Sequence, residues 1–252
     1  MGTKNVLVTG GSRGIGEKIV RVLAASGYSV QFTYCTFKNH ARKLVDELSS
    51  EWSNQVFTAS YVDLANRNDI QELSSQISQA DELYSLVHNA GMTYDALAAA
   101  INQDHAERMM QVNFWSMTQL VAAAIRPMMR ARSGRIITIG SIAASYGSSG
   151  NASYAASKGA MLSYVKSLSV ELARKGVAVN YIAPGYVDTD MLSPYAKDRV
   201  SIEKQIPMRR FADPAEVAGL VRFLLEPEAA YITGSVIPID GGLSAFAPIN
   251  RK

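Results

Sequence analysis

Along this 252-residue chain, short apolar or β-branched runs repeatedly give way to longer stretches whose apolar positions recur every three or four residues. The first run, residues 6–9 (Val-Leu-Val-Thr), reads as a buried strand. A helix follows through residues 19–25, and Gly27 is placed to stop it. The same reasoning predicts strands at residues 28–34, 55–61, 83–88, 135–139, 177–182 and 236–239. Helices are predicted at 40–50, 70–78, 104–130, 153–175 and 214–225, with Gly176 ending the fourth of these and Pro214 just inside the start of the last. Strands that alternate with helices imply parallel crossovers. The expected fold is therefore α/β: a single doubly wound (Rossmann) domain over residues 1–252, with a seven-stranded parallel sheet flanked by helices. No repeat or linker divides the chain. Its least regular part, with Pro184, Pro194 and Pro207, is expected to form a substrate flap around residues 186–211.

Two of the predicted helices carry a polar residue inside an apolar stripe. In the helix from residue 153, positions 154, 158, 161, 165, 168 and 172 share a face and read Tyr, Lys, Met, Val, Leu, Leu. Tyr154 and Lys158 are thus stacked neighbours, one turn apart. A lysine on such a stripe either snorkels to solvent or faces a cavity. In the helix over 104–130, Asn113 interrupts a stripe that contains Met110, Met117 and Leu120, and a buried Asn must find hydrogen-bond partners.

Composition narrows the field only slightly. Lys and Arg total 25 against 22 Asp and Glu, too even a balance to suggest nucleic-acid binding. The single cysteine, Cys35, cannot form an internal disulfide. The N-terminus lacks the apolar core of a signal peptide, and no apolar run approaches the roughly 18 residues that span a bilayer. A cytoplasmic protein is expected, with no membrane partner, no nucleic-acid partner and no metal.

The first strand-to-helix connection reads Thr9-Gly-Gly-Ser-Arg-Gly-Ile-Gly16. Here Gly10, Gly14 and Gly16 let the backbone turn sharply beside a pyrophosphate, and the helix N-terminus offers N–H donors. A tight connection without a ligand would look similar; the strand before and helix after favour a dinucleotide. The region after the second strand, Thr33-Tyr-Cys-Thr-Phe-Lys38, has no acid to bond ribose hydroxyls, while Arg13 and Lys38 are cations. That favours NADPH/NADP over NAD. Asp63 follows the third strand, and His88-Asn-Ala-Gly91 follows the fourth, both at carboxyl ends where open α/β sheets place ligands. Asp63 can accept a bond from an adenine amino group or serve as an ordinary turn residue. Ser141 stands just after the fifth strand.

Together, Thr9-Gly-xxx-Gly-x-Gly16, Asn89-Ala-Gly91, Asn113, Ser141, Tyr154-xxx-Lys158 and Pro184-Gly185 resemble the short-chain dehydrogenase/reductase family over essentially the whole chain. Within it, residues 134–141, 180–191 and 206–217 look most like the β-ketoacyl-acyl-carrier-protein reductases. The resemblance implies four catalytic groups. Tyr154 gives a proton to the carbonyl oxygen, Lys158 lowers the phenol's pKa and binds ribose, Ser141 orients the carbonyl, and Asn113 holds a water that links Lys158 to solvent. It places coenzyme contacts on Gly10, Ser12, Arg13, Gly14, Ile15 and Gly16, then on Cys35, Asp63 and Leu64. Further contacts fall on Asn89, Ala90, Gly91, Tyr154 and Lys158, and on Pro184, Gly185, Val187 and Thr189. The implied reaction is reduction of a β-ketoacyl group on acyl carrier protein, in fatty-acid, polyketide or aryl-polyene synthesis, by a homotetramer packed through the two long helices and the last strand. Arg132 and Lys175 are implied carrier-docking residues, within a basic cluster that includes Arg126, Arg130 and Arg135. Ordinary helix C-terminal cations explain that cluster equally well.

Three departures stand out. His88 occupies a position where Asn is common, and the segment 148–153 lacks the Asn and Gln usual before the Tyr. The tail from residue 243 is longer than usual. The alternatives are an NADPH-dependent reductase of a free small ketone or sugar and, from another class, a non-catalytic dinucleotide-binding scaffold.

Overall fold

The computed structural model describes residues 4–80 and 82–245; the tail from 246 on lies outside them. The first half of the chain runs β1 (Asn5–Thr9), α1 (Gly14–Ala25), β2 (Ser29–Tyr34), α2 (Lys38–Glu51), β3 (Phe57–Tyr61), α3 (Arg67–Gln79) and β4 (Ser85–His88). The second half runs α4 (Gln103–Met110), a π-helical turn (Gln111–Trp115), α5 (Ser116–Ala131), β5 (Gly134–Ile139), α6 (Ala152–Leu172) and β6 (Val177–Pro184). A 3₁₀ segment (Asp190–Asp198), α7 (Arg199–Gln205), α8 (Pro214–Leu225) and β7 (Val236–Ile239) complete it. All six strand pairings are parallel, in the order β3-β2-β1-β4-β5-β6-β7. The expected doubly wound sheet is therefore observed, and its order reverses between β1 and β4.

Alternation along the strands supplies both faces of the sheet. Val6 and Val8 of β1 pack with α1, α2 and α8, whereas Leu7 packs with α3, α5 and α6. Burial on both sides explains why β5 and β6 read as nearly unbroken apolar runs. The ends of the helices follow local chemistry. Asn66 caps α3 through the N–H of Asn68, and Asp213 with Glu216 forms a capping box at α8 behind Pro214. Gly176 stops the α6 region at φ +79°, where any Cβ would overlap the Arg132 carbonyl.

Two expectations need adjustment. The helix over 104–130 is not uniform, because a π turn centred on Asn113 divides it into α4 and α5; the apolar stripe runs through the turn without marking it. The strand expected from residue 55 begins at Phe57, because the Gln55 side chain is used to bond the carbonyls of Ala24 and Tyr28.

Candidate active site

The carboxyl ends of β1, β4, β5 and β6 meet along one edge of the sheet, around the reversal in strand order, where a crevice is expected. The glycine loop forms its floor. Gly10 N donates to Thr33 Oγ1 (3.1 Å) and Gly11 N to the Thr33 carbonyl (2.9 Å), which ties the loop to β2. A Cβ at Gly16 would overlap the Gly10 carbonyl, so the turn closes only around glycine. Ser12 is buried, Ile15 packs on the core, and Thr189 reaches over Gly14 from the far side.

Arg13 is exposed on extended backbone before α1, and its guanidinium lies 4.8 Å from the Phe37 ring centroid. Cys35 is exposed after β2, and Lys38 opens α2. Neither Arg13 nor Lys38 pairs with a carboxylate among the described residues. Both cations therefore remain available to a phosphate, and this edge fits NADP.

Asp63 is partly engaged: its Oδ1 accepts from Ala65 N (2.9 Å), and Oδ2 lies 3.7 Å from Arg108, a residue the sequence reading did not single out. Leu64 beside it is buried. Asn89 spends its side-chain donors on the carbonyls of Thr9 and Gly10 (3.1 and 3.0 Å), so it shapes the loop from below. At the other wall, Pro184 ends β6, Gly185 N donates to the Ile239 carbonyl (2.9 Å), and buried Val187 bridges to Ala212. This edge of the sheet thus brings together expected coenzyme residues from both halves of the chain.

The residues expected to be catalytic gather beyond the ends of β4 and β5. Lys158 is 3% exposed; its Nζ donates to the Ile139 carbonyl (3.2 Å) and lies 5.7 Å from the centroid of the Tyr154 ring. That single bond leaves two N–H donors of the ammonium for a ligand. A Cβ at Gly91 would come within 3.4 Å of Nζ and 3.2 Å of Asn113 Oδ1, so glycine keeps the front of Lys158 open. Burial lowers the pKa of Lys158 to about 8.

Tyr154 differs from the expectation. Burial pushes its pKa up to about 12; the Ser141 hydroxyl works against that rise, and the Asp95 carboxylate adds to it. The lowering expected from Lys158 does not emerge; burial sets the direction. Ser141 Oγ accepts from Ala143 N (3.1 Å) and keeps its own proton to give.

Several structural partners were not legible. Asn113, fully buried in the π turn, accepts from Met92 N (2.9 Å) and donates to the Met92 carbonyl (3.0 Å) and Ser157 Oγ (2.9 Å). Ser157 Oγ in turn donates to the Tyr154 carbonyl (2.8 Å). Tyr181, from β6, accepts from Ser141 N (3.0 Å) and directs its hydroxyl at the carbonyls of Ser141 and Lys158 (3.2 and 3.3 Å). A lone Tyr in an apolar strand was the available signal, since a buried phenol needs a partner.

The segment expected as a flap is tied down by side-chain bonds. Arg199 of α7 grips Asp188 with two bonds (2.9 and 2.8 Å) and covers Phe211, while the Tyr195 hydroxyl donates to Asp95.

Arg132 and Lys175 lie elsewhere. Each lies two residues before the start of a strand, β5 and β6 respectively, whereas Ser141 follows the end of β5. The six residues of β5 separate the two levels, on the order of 20 Å. Within one chain they therefore lie at the opposite end of the strands from Ser141. Arg135 is buried beside Tyr84 and is unavailable for docking.

A family model described as enoyl-(acyl carrier protein) reductase, of the short-chain dehydrogenase/reductases, matches residues 10–244. The chain belongs to the short-chain dehydrogenase/reductase family. It is an oxidoreductase of that family. The 3-oxoacyl-[acyl-carrier-protein] reductase FabG of Escherichia coli K12 is 38% identical over 242 residues, covering 95% of this chain and 97% of that protein. FabG of Vibrio cholerae is 37% identical over 244 residues, with the same coverage. Among solved structures, acetoin dehydrogenase from Enterobacter cloacae superposes with a TM-score of 0.89 at 27% identity, covering 99% of both chains. ElxO with NADP bound gives 0.86 at 27% identity, covering 97% of this chain and all of the other. Among the described residues no helix is long and apolar enough to cross a membrane, and no three side chains form a metal-ligand group.

Proposed function

We propose that this oxidoreductase uses NADPH to reduce the β-carbonyl of an acyl group carried on acyl carrier protein. The observation that carries the chemistry is Lys158, buried one helical turn from Tyr154 and bonded to a single backbone carbonyl. NADP is the coenzyme supported by Arg13, Lys38 and the glycine loop, and by the kinship with FabG and NADP-bound ElxO. When bound, NADPH supplies the hydride and, once oxidised, a positive charge that favours tyrosinate.

The chain's own residues handle the proton. With a pKa of about 12, Tyr154 holds its proton at neutral pH and gives it from Oη to the ketone oxygen. The free hydroxyl proton of Ser141 orients that oxygen, and the spare N–H donors of Lys158 hold a ribose. Asn113 commits its side chain to Met92 and Ser157, so a relay water must use its backbone carbonyl. The segment 186–211 acts as the substrate flap.

The carrier-bound substrate rests on the two FabG relatives. Arg132 and Lys175 can steer an acidic carrier only toward a mouth supplied by another copy of the chain. Exposed Trp115 and Val170, on the π turn and α6, offer apolar area for such a copy in the tetramer. A second reading, reduction of a small free hydroxyketone, is favoured by Asn151. Its Oδ1 is buried without a partner among the described residues, three residues before Tyr154, where a substrate hydroxyl would satisfy it.

NADPH oxidation with β-ketobutyryl carrier protein, the same acyl group on a small thiol, and acetoin decides between them. The carrier substrate should show at least about tenfold higher kcat/KM than acetoin, about 1.4 kcal/mol of preferential binding. Equal or better turnover of acetoin overturns the carrier reading. Charge reversal at Arg132 and Lys175 should raise KM for the carrier substrate alone; equal losses on acetoin sink docking at those residues.

A further inference from the structure

His88 is fully buried at the end of β4, between the glycine loop and the π turn. Its Nδ1 lies 3.3 Å from Thr9 Oγ1 and its Nε2 lies 3.3 Å from the backbone carbonyl of Asn113. Counting donors and acceptors fixes the direction of this chain. Thr9 Oγ1 already accepts from Asn89 N (3.1 Å) and Ala90 N (3.0 Å), which occupies both lone pairs. Its proton must therefore go to Nδ1. The ring then carries its own proton on Nε2, and that proton goes to Asn113 O. An imidazolium would turn Nδ1 into a second donor facing a hydroxyl with no lone pair to offer.

The Asn113 carbonyl is where such a bond has leverage. A π turn loosens the regular helical ladder, and turns of this kind gather at functional sites. The side chain on the same residue clips Met92 to Ser157, and Ser157 lies between Tyr154 and Lys158 on α6. Moving the carbonyl moves this clip.

We infer that His88 is a positioning residue for the reduction: as a neutral imidazole protonated on Nε2, it holds the π turn against Thr9 and so keeps Asn113 in register with Met92 and Ser157 beside Lys158. The charged group acting on it is Lys158, from α6; Thr9 of β1 and Asn113 of the π turn are its uncharged neighbours. Burial, then the lysine's charge, holds the imidazole neutral by lowering its pKa to about 3, in accord with that role. The inference rests on the catalytic roles given to Tyr154 and Lys158 but not on the carrier substrate.

The native protein tests it first. In ¹⁵N NMR of histidine-labelled protein, the His88 ring should show a protonated Nε2 and a bare Nδ1, unchanged from pH 5.5 to 9; protonation on Nδ1, or titration within that range, overturns the inference. Variants test it next, with β-ketobutyryl thioester and NADPH. His88→Leu, which keeps volume but loses both polar ends, should lose kcat about tenfold or more while NADPH Kd moves less than about threefold, on the scale of one to two lost hydrogen bonds. His88→Gln, which can offer both an acceptor and a donor, should recover most of that loss. If folded His88→Leu keeps native kcat and only melts earlier, the role is structural and the inference fails. Failure of His88→Gln to restore kcat also overturns it. Should the native enzyme ignore β-ketobutyryl carrier protein as well as the thioester, the carrier reading fails, whereas the tautomer is still read without substrate.

Discussion

Along β1–β3 the ligand-facing edge is made largely by backbone: a glycine turn bonded to Thr33 and Asn89, with Arg13 and Lys38 exposed beside it. Along β4–β6 the same edge is made by side chains that are buried and mutually bonded, namely His88, Asn113, Ser157, Lys158 and Tyr181. The first arrangement leaves its charges in water until a phosphate arrives, so each contributes separately and modestly to binding. The second keeps polar groups out of water permanently, so each depends on the next. Substitutions should act as graded changes in affinity on one side and as losses of function on the other.

The largest test of that difference is Tyr154→Phe. It should lower kcat by about a thousandfold, within the range for loss of a general acid, while NADPH affinity by fluorescence titration stays nearly unchanged. Turnover within tenfold of native would break the catalytic assignment.

Lys158→Met comes next and should separate stability from activity. The folded-state pKa of about 8 lies below the unfolded 10.5, so between those values the unfolded chain binds more protons and stability rises with pH. Below pH 8 the burial penalty is fully present, about 3 kcal/mol for a shift of this size. The Met variant should therefore be inactive yet more stable than native in urea at pH 7, with the advantage shrinking from pH 8 to 10.5. A variant less stable at pH 7 would show that Lys158 is better compensated than its single bond implies.

The smallest effect is expected on the other side. Arg13→Glu should weaken NADPH binding by about ten- to thirtyfold, the scale of one charge-assisted hydrogen bond, while leaving NADH binding and saturated kcat nearly intact. Equal losses for both coenzymes would mean that Arg13 shapes the loop and does not read the phosphate.

These two halves were not equally visible in the sequence. The glycine loop announces itself within eight residues, and the stripes on α5 and α6 follow from helical periodicity, so both could be read locally. Partners across the fold could not. Thr9 and His88 are 79 residues apart, Asn113 and Ser157 are 44 apart, and Tyr181 is 40 from Ser141; no local period encodes such pairs. The π turn escaped for a related reason, since its apolar stripe is the same one an unbroken helix would show. The level of Arg132 and Lys175 is legible in chain order, because residues that lead into parallel strands lie opposite those that follow them.

A Cβ at Gly140 would overlap the Tyr181 ring, whose hydroxyl holds Ser141 and the turn of α6 behind Lys158. Neither position can change first without harm: a larger residue at 140 meets the ring, and a smaller one at 181 strips Ser141 N of its acceptor. Stepwise change from this sequence must therefore leave the pair untouched or cross a weakened intermediate. Exposed flap residues such as Met191 and Met208 face no such barrier. Segment 186–211 can vary by single steps, whereas the floor beneath Ser141 must change in two places at once.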